Sequence, residues 1–151
     1  MNTPIIIRTL ASLRLEEARI LADNDKPDGA FYLAGYSVEL TLKARIAEQF
    51  GIESLFADKV SAADDFTDIG KVKNLVQTHN LFLLLVMSGL RLPYFQKRQQ
   101  DKIFLKFDPR LWTWNERLRY QLPGRFSQQD VTEFIDFLAA PDGLLTWIKN
   151  K

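Results

Sequence analysis

The stretch GYSVELTLKARI, residues 35–46, is composed like a core helix, yet it sets Glu39 and Lys43 one turn apart among Tyr36, Val38, Leu40, Leu42 and Ile46. A helix this apolar needs other helices around it. Placed at about 100° per residue, Ser37, Thr41 and Glu48 cluster and define the expected water face. Glu39 and Lys43 fall roughly 160–180° away, on the side of Tyr32, Tyr36 and Phe50. A buried charge is costly unless it is paired and hydrogen-bonded, and acid-before-base at i, i+4 is the favourable order for a helical pair. Two readings stay open. The pair is either an internal structural network or the lining of a cleft where a desolvated lysine, an acid and tyrosines hold a nucleotide or an RNA backbone.

The remaining elements also read as helical. Ile6, Leu10, Leu13, Ala18 and Ile20 recur at helical spacing and give a first helix from about residue 6 to Asp23. DNDKPDG breaks it, and the second helix is expected from Asp28 as N-cap to about Phe50, with Gly51 as its stop. Residues 52–77 read as a long acidic connection containing at most a short helical turn, and as the most mobile part of the chain. Thr78 is the expected N-cap of a third helix running through LFLLLVMSGL, and PYFQKRQQDKIFLKF is a fourth, ended by Asp108-Pro109. A short helix is expected to begin at Pro109, and a last one at Ser127, which stands at capping-box spacing from Asp130, with APDG interrupting it. Strand-like alternation is scarce. The predicted fold is a single all-α domain over residues 1–151, a compact bundle of four to six helices.

Composition narrows the chemistry. With 151 residues, 46% hydrophobic and 26% charged, the chain has the makings of one folded, soluble domain. No cysteine is present, which removes disulfides, thiolate metal sites and a cysteine nucleophile, and the single His79 removes any site needing two imidazoles. The longest apolar run is too short to span a bilayer, so the expected compartment is the cytoplasm, with no membrane contact. Residues 91–125 hold nine bases against three acids, a local charge of 9 − 3 = +6, able to face a nucleic acid, another anion or an acidic protein unless it is simply a solvated helix face. Asp64, Asp65 and Asp68 lack the glycine turn and closing glutamate of a calcium loop and are read as a solvated loop, so no metal and no cofactor are expected.

EEARILADND, GAFYLAGYSVELTLKARIAEQFG, THNLFLLL and WNERLRY, followed by a final helix, together resemble the HEPN family of helical, nucleic-acid-associated domains over residues 10–149. The most specific part is Tyr36-x-x-Glu39-x-x-x-Lys43 combined with His79-Asn80-Leu81 and Arg119-Tyr120. The resemblance implies a homodimer, a role around nucleotide or RNA, and a partnership with a minimal nucleotidyltransferase in a toxin–antitoxin or defence module. Ribonucleases of the family use an arginine, four to six residues and a histidine near the final helix. Here no histidine follows His79, and positions 72–74 are Val72, Lys73 and Asn74, so the motif is not present and Lys73 is at most a degenerate echo of its arginine.

The chain is therefore expected to bind nucleotide or RNA without cutting it, or to serve as a partner subunit. The alternatives are a metal-independent ribonuclease using His79, Lys73 and an arginine of residues 110–125, or a protein-binding adaptor. His79 is expected just inside a helix N-terminus, in a structural contact with Glu39 or a backbone carbonyl, or at the rim of a ligand cleft. Arg119 is expected to pair with Glu39 in preference to a phosphate. Trp112, Trp114 and Tyr120 are expected to form one aromatic cluster, core before stacking platform. PYF, LWTW and FIDFL offer the apolar surface for a dimer interface.

Overall fold

A computed structural model describes residues 3–55 and 68–151; residues 56–67, with Asp58, Lys59, Asp64 and Asp65 and the expected mobility of that segment, lie outside the described residues. The architecture is all-α, and no strand occurs among the described residues. Two long helices, α1 (Pro4–Asp23) and α2 (Pro27–Gln49), fold back on each other and form the spine. Around them lie α3 (Ile69–Val76), α4 (Leu81–Met87), α5 (Arg91–Gln100), α6 (Lys102–Thr113), a 3₁₀ turn (Glu116–Tyr120), α7 (Gln128–Ala139) and α8 (Leu144–Lys149). None is long and apolar enough to cross a membrane.

The helix α2 is central, and its surroundings correct the expected water face. Ser37 and Thr41 are both fully buried. Each hydroxyl donates to a carbonyl of its own helix, Ser37 to Ala34 at 2.6 Å and Thr41 to Ser37 at 2.8 Å, so neither needs water. Glu48 does reach solvent, where it pairs with Arg8 of α1. Of the residues whose spacing marks α1, Ala18 is buried together with Ile7, Ala11 and Ala22, while Ile6, Leu13 and Ile20 are exposed. Small side chains let the two long helices approach closely, so alanines took the seam.

Helix boundaries follow cap chemistry. Pro27 begins α2, since its missing N–H costs nothing in the first turn. Asp28 is thus inside the helix and is not its N-cap; its carboxylate accepts the backbone N–H groups of Gly124 and Arg125 at 3.0 and 3.1 Å, tying that loop to the helix start. Gly51 stops α2 as expected, with a φ of +64° that favours glycine and with Ile52 N–H donating back to Ala47. The segment expected as a connection contains the eight-residue α3, whose Ile69, Val72 and Val76 pack onto the core. Asn80, and not Thr78, caps α4 by accepting from Leu83 N–H, while the Thr78 hydroxyl accepts from Asn80 N–H. Asp101 caps α6 and divides the predicted fourth helix, and Pro109 lies within α6 instead of starting a new one. Ser127 caps α7, accepting from Asp130 N–H, and the chain is interrupted after Ala139 as the APDG stretch predicts.

Tyr94, Leu111, Phe134 and Phe137, from the stretches expected to offer a dimer interface, are buried in the core, where Phe104 joins the Tyr94 and Phe137 rings through tilted and edge-on contacts. Asp108 anchors this region, accepting from Tyr94 Oη at 2.7 Å, Trp112 Nε1 at 2.8 Å and Arg98 at 3.0 Å. Burial, and then the hydrogen bond to Asp108, hold the Tyr94 phenol protonated far above the ordinary tyrosine range, against a weaker opposing effect of Arg98. A group whose folded pKa is raised contributes stability fully present below its unfolded value and lost as pH rises. From about pH 10 upward the native protein should therefore lose about 1.4 kcal/mol per pH unit through this phenol, and Tyr94→Phe should remove that slope from urea titrations at alkaline pH.

Candidate ligand cleft at the His79 corner

One buried carboxylate organises the site. Glu39 and Lys43 lie on the same face of α2 because i and i+4 are one turn apart. They pair at 2.6 Å with almost no exposure, 1% and 2%. The charge of Glu39 is shared with a second group: His79 Nδ1 sits 3.0 and 3.1 Å from the two carboxylate oxygens. This contact exists because Asn80 takes the cap of α4, leaving His79 one residue before the helix and free to turn back onto α2. His79 is thus outside the helix N-terminus and not inside it. In the neutral ring, donation from Nδ1–H to Glu39 leaves Nε2 as the lone-pair nitrogen. The His79 side chain is 41% exposed, so the arrangement carries the buried ion pair to the surface through one imidazole.

At that surface is a cleft of about 500 Å³, lined by residues 78–82 and by Trp112, Trp114, Asn115, Glu116 and Arg117. Its chemistry is mixed. Arg117 is exposed and has no carboxylate partner among the described residues. Phe82, 40% exposed, packs edge-on against Trp112, whose ring N–H is spent on Asp108. Trp114 is buried, donates Nε1–H to Tyr32 O at 2.9 Å and stacks on the Tyr32 ring. Asn115 is occupied in capping the 3₁₀ turn through Arg117 N–H. Glu116 adds one acidic group to the wall. The available functions are an imidazole acceptor, a free guanidinium and the faces of Phe82 and Trp112.

The other predicted residues lie apart from this cleft. Arg119 does not pair with Glu39: it is exposed and lies beside Tyr32 and Tyr120, with its guanidinium 4.8 Å from the Tyr120 ring centroid. The 3₁₀ turn points it outward, while Lys43 and His79 already satisfy Glu39. Tyr36 stacks on Tyr32 and is half-buried; burial, then the negative charge of Glu39, push its phenol up. Tyr120 is 77% exposed, Trp114 packs on Tyr32 and Trp112 packs on Tyr94, so the three aromatics are not one cluster. Lys73 is buried and lines a separate cleft with Gly51–Ser54 and Ile69, so the structure does not bring it to His79.

Four of the nine bases of residues 91–125 are neutralised in place. Lys97, Arg98, Lys106 and Arg110 pair with Asp101, Asp108, Glu133 and Asp130. Phe82 escaped the sequence reading as a site residue, and Arg117 is covered there only as one of the arginines of residues 110–125. Among the described residues Arg91, Lys102, Arg119 and Arg125 likewise lack a carboxylate ion pair; Arg117 differs from them in lining this cleft, a placement that depends on where the 3₁₀ turn packs. Among the described residues no group of three or more His, Asp or Glu side chains is placed to hold a metal, and Asp68 is engaged with Lys71. Comparison with known protein families, curated proteins and solved structures gave no match.

Proposed function

We propose that this chain is a HEPN-like helical module that binds a nucleotide or a short single-stranded RNA segment in the His79 cleft. The observation that carries the reading is the convergence of His79, Arg117, Phe82 and Trp112 on one concave surface. A free guanidinium suits a phosphate, exposed aromatic faces suit a base, and an imidazole nitrogen suits a hydroxyl donor such as a ribose. Glu39 and Lys43 serve this site from beneath: being buried, they fix the ring of His79 and do not touch the ligand.

The test is fluorescence anisotropy with labelled homopolymeric RNA oligonucleotides, together with a thermal-shift panel of nucleoside phosphates. Arg117→Ala should weaken binding roughly ten-fold or more, as expected for a lost charge-assisted contact, and Phe82→Ala should weaken it independently. Lys149→Ala, at an exposed lysine of α8 that does not line the cleft, should leave binding unchanged apart from a small common salt effect. No binding across both panels, or full binding by Arg117→Ala, would overturn the assignment.

The Glu39–His79 contact favours one second reading, in which His79 Nε2 removes the proton of a ribose 2′-hydroxyl while Arg117 holds the phosphate. It predicts RNA cleavage in EDTA that His79→Ala abolishes. Binding without cleavage leaves the first reading in place.

A further inference from the structure

The His79 cleft shares a wall with a second one. Asn115 lines both, and beyond it the end of α6, the 3₁₀ turn and the loop leading to α7 border a cleft of about 480 Å³. The turn is the ridge between them. With three residues per turn, consecutive side chains of a 3₁₀ helix diverge by about 120°, which places Arg117 in the His79 cleft and Leu118 in the other. Asn115 is the saddle of the ridge. Its Oδ1 accepts Arg117 N–H at 3.0 Å and its amide donates to Thr113 O at 3.4 Å, so its polar atoms are engaged in holding the turn.

The second cleft is the more cationic of the two. Arg110 and Arg125 line it and no carboxylate of the described residues does, whereas Glu116 offsets Arg117 in the His79 cleft. Arg125 is exposed and has no carboxylate ion pair among the described residues. Arg110 meets Asp130 through one nitrogen at 3.5 Å, longer than an ordinary N–H···O bond, and a guanidinium has five N–H donors, so most of them remain for a ligand. Its guanidinium carbon lies 5.6 Å from the ring centroid of Phe126, another lining residue. The Asp28 carboxylate holds the backbone N–H groups of Gly124 and Arg125, so the Arg125 side chain starts from an anchored loop and a ligand has less to order there.

Two guanidiniums at a site lined by no carboxylate fit an oxyanion. Continuity with the His79 cleft decides what carries it. We infer that the Arg110–Arg125 cleft holds a phosphate of a single strand whose neighbouring nucleotide occupies the His79 cleft, the strand crossing the turn at Asn115. The inference rests on the reading of the His79 cleft as a nucleotide site and narrows it, since the ligand becomes an oligonucleotide and not a free nucleotide. A run of peptide carboxylates would suit the arginines alone, and a duplex keeps its bases stacked on one another, so neither uses the faces of Phe82 and Trp112.

Calorimetric titration with uridine monophosphate and with oligouridylates of increasing length reads the second cleft separately from the first. Affinity should rise ten-fold or more once the strand is long enough to pass the turn, the effect of adding a charge-assisted contact. Arg125→Ala, at an exposed side chain, should abolish that rise and leave uridine monophosphate binding unchanged. Arg125→Lys, which keeps the charge and loses the fork, should restore part of the rise. Arg110→Ala should act like Arg125→Ala, with circular dichroism checking its fold, and Arg117→Ala should weaken binding at every length. For the longer strands alone, the slope of log affinity against log salt should shrink by about 0.7 for each arginine removed from the second cleft. Affinity that does not rise with length, or a rise that survives Arg125→Ala, would overturn the inference and leave a nucleotide in the His79 cleft. No binding at any length would overturn both. Polyglutamate that displaces an oligouridylate of equal charge as strongly as the oligouridylate displaces itself would overturn the inference in favour of an acidic protein partner.

Discussion

Lys43→Met is expected to lower the free energy of unfolding by about 3–5 kcal/mol, the cost of removing one partner from a buried ion pair and leaving the other charge uncompensated. Glu39 is 1% exposed and, among the described residues, would keep His79 as its hydrogen-bonding neighbour in place of an ammonium at 2.6 Å. Replacing both members, Glu39→Leu with Lys43→Met, is expected to recover most of the loss, because an apolar pair of similar volume needs neither desolvation nor partners. His79, being partly exposed, can turn to water in that variant. Urea denaturation of the two single variants and the double variant gives the coupling between the residues. A Lys43→Met cost below about 1 kcal/mol would mean that water reaches the pair and that Glu39 belongs to the cleft wall, contrary to its burial.

That experiment also separates two roles that the sequence leaves joined. The i, i+4 acid and base inside an apolar stretch are legible without a structure, because burial on one side of a helix is a matter of spacing. Whether the pair faces a cavity is not, since a helical wheel gives direction and says nothing of what lies opposite. The fold answers by inserting His79 between the pair and solvent. It could do so only because Asn80 outcompetes Thr78 as the cap of α4, a choice between two good capping residues two positions apart.

Two other features share a physical cause. The spacing that marks α1 runs through Ile6, Leu13 and Ile20, which turn outward, as well as the buried Ala18, and the predicted outer face of α2 followed the hydroxyls Ser37 and Thr41. Both arise because close packing of long helices selects for small side chains, polar or not, whenever a hydroxyl can bond its own helix. Size is a guide to burial in a loosely packed layer and misleads at a tight helix seam. All-α architecture, the stop at Gly51 and the cap at Ser127 survive because they depend on local chemistry alone. The cleft does not, since its walls come from segments at least thirty residues apart, residues 78–82 and 112–117, which only the tertiary fold brings together.

The close approach at Gly35 carries the second large effect. Gly35→Ala would ordinarily stabilise a helix interior by about 1 kcal/mol. Here it is expected to destabilise by about 1–3 kcal/mol, because the added Cβ would lie 2.1 Å from Trp114 Cδ1 and 2.3 Å from Nε1, and an indole has no flexible end to yield. Moving Trp114 breaks its hydrogen bond to Tyr32 O and its stack on the Tyr32 ring, and also displaces one wall of the His79 cleft. Gly35→Ala should therefore weaken ligand binding as well as folding, although Gly35 itself lies outside the cleft. Trp114→Ala provides the control. With the indole gone the alanine Cβ has room, so the double variant should be more stable than the sum of the single losses predicts, by about 1 kcal/mol or more. Strict additivity in denaturant titrations would mean that Trp114 does not rest on Gly35 in solution, and the cleft would then lose the wall that separates it from the Tyr32–Tyr36 stack.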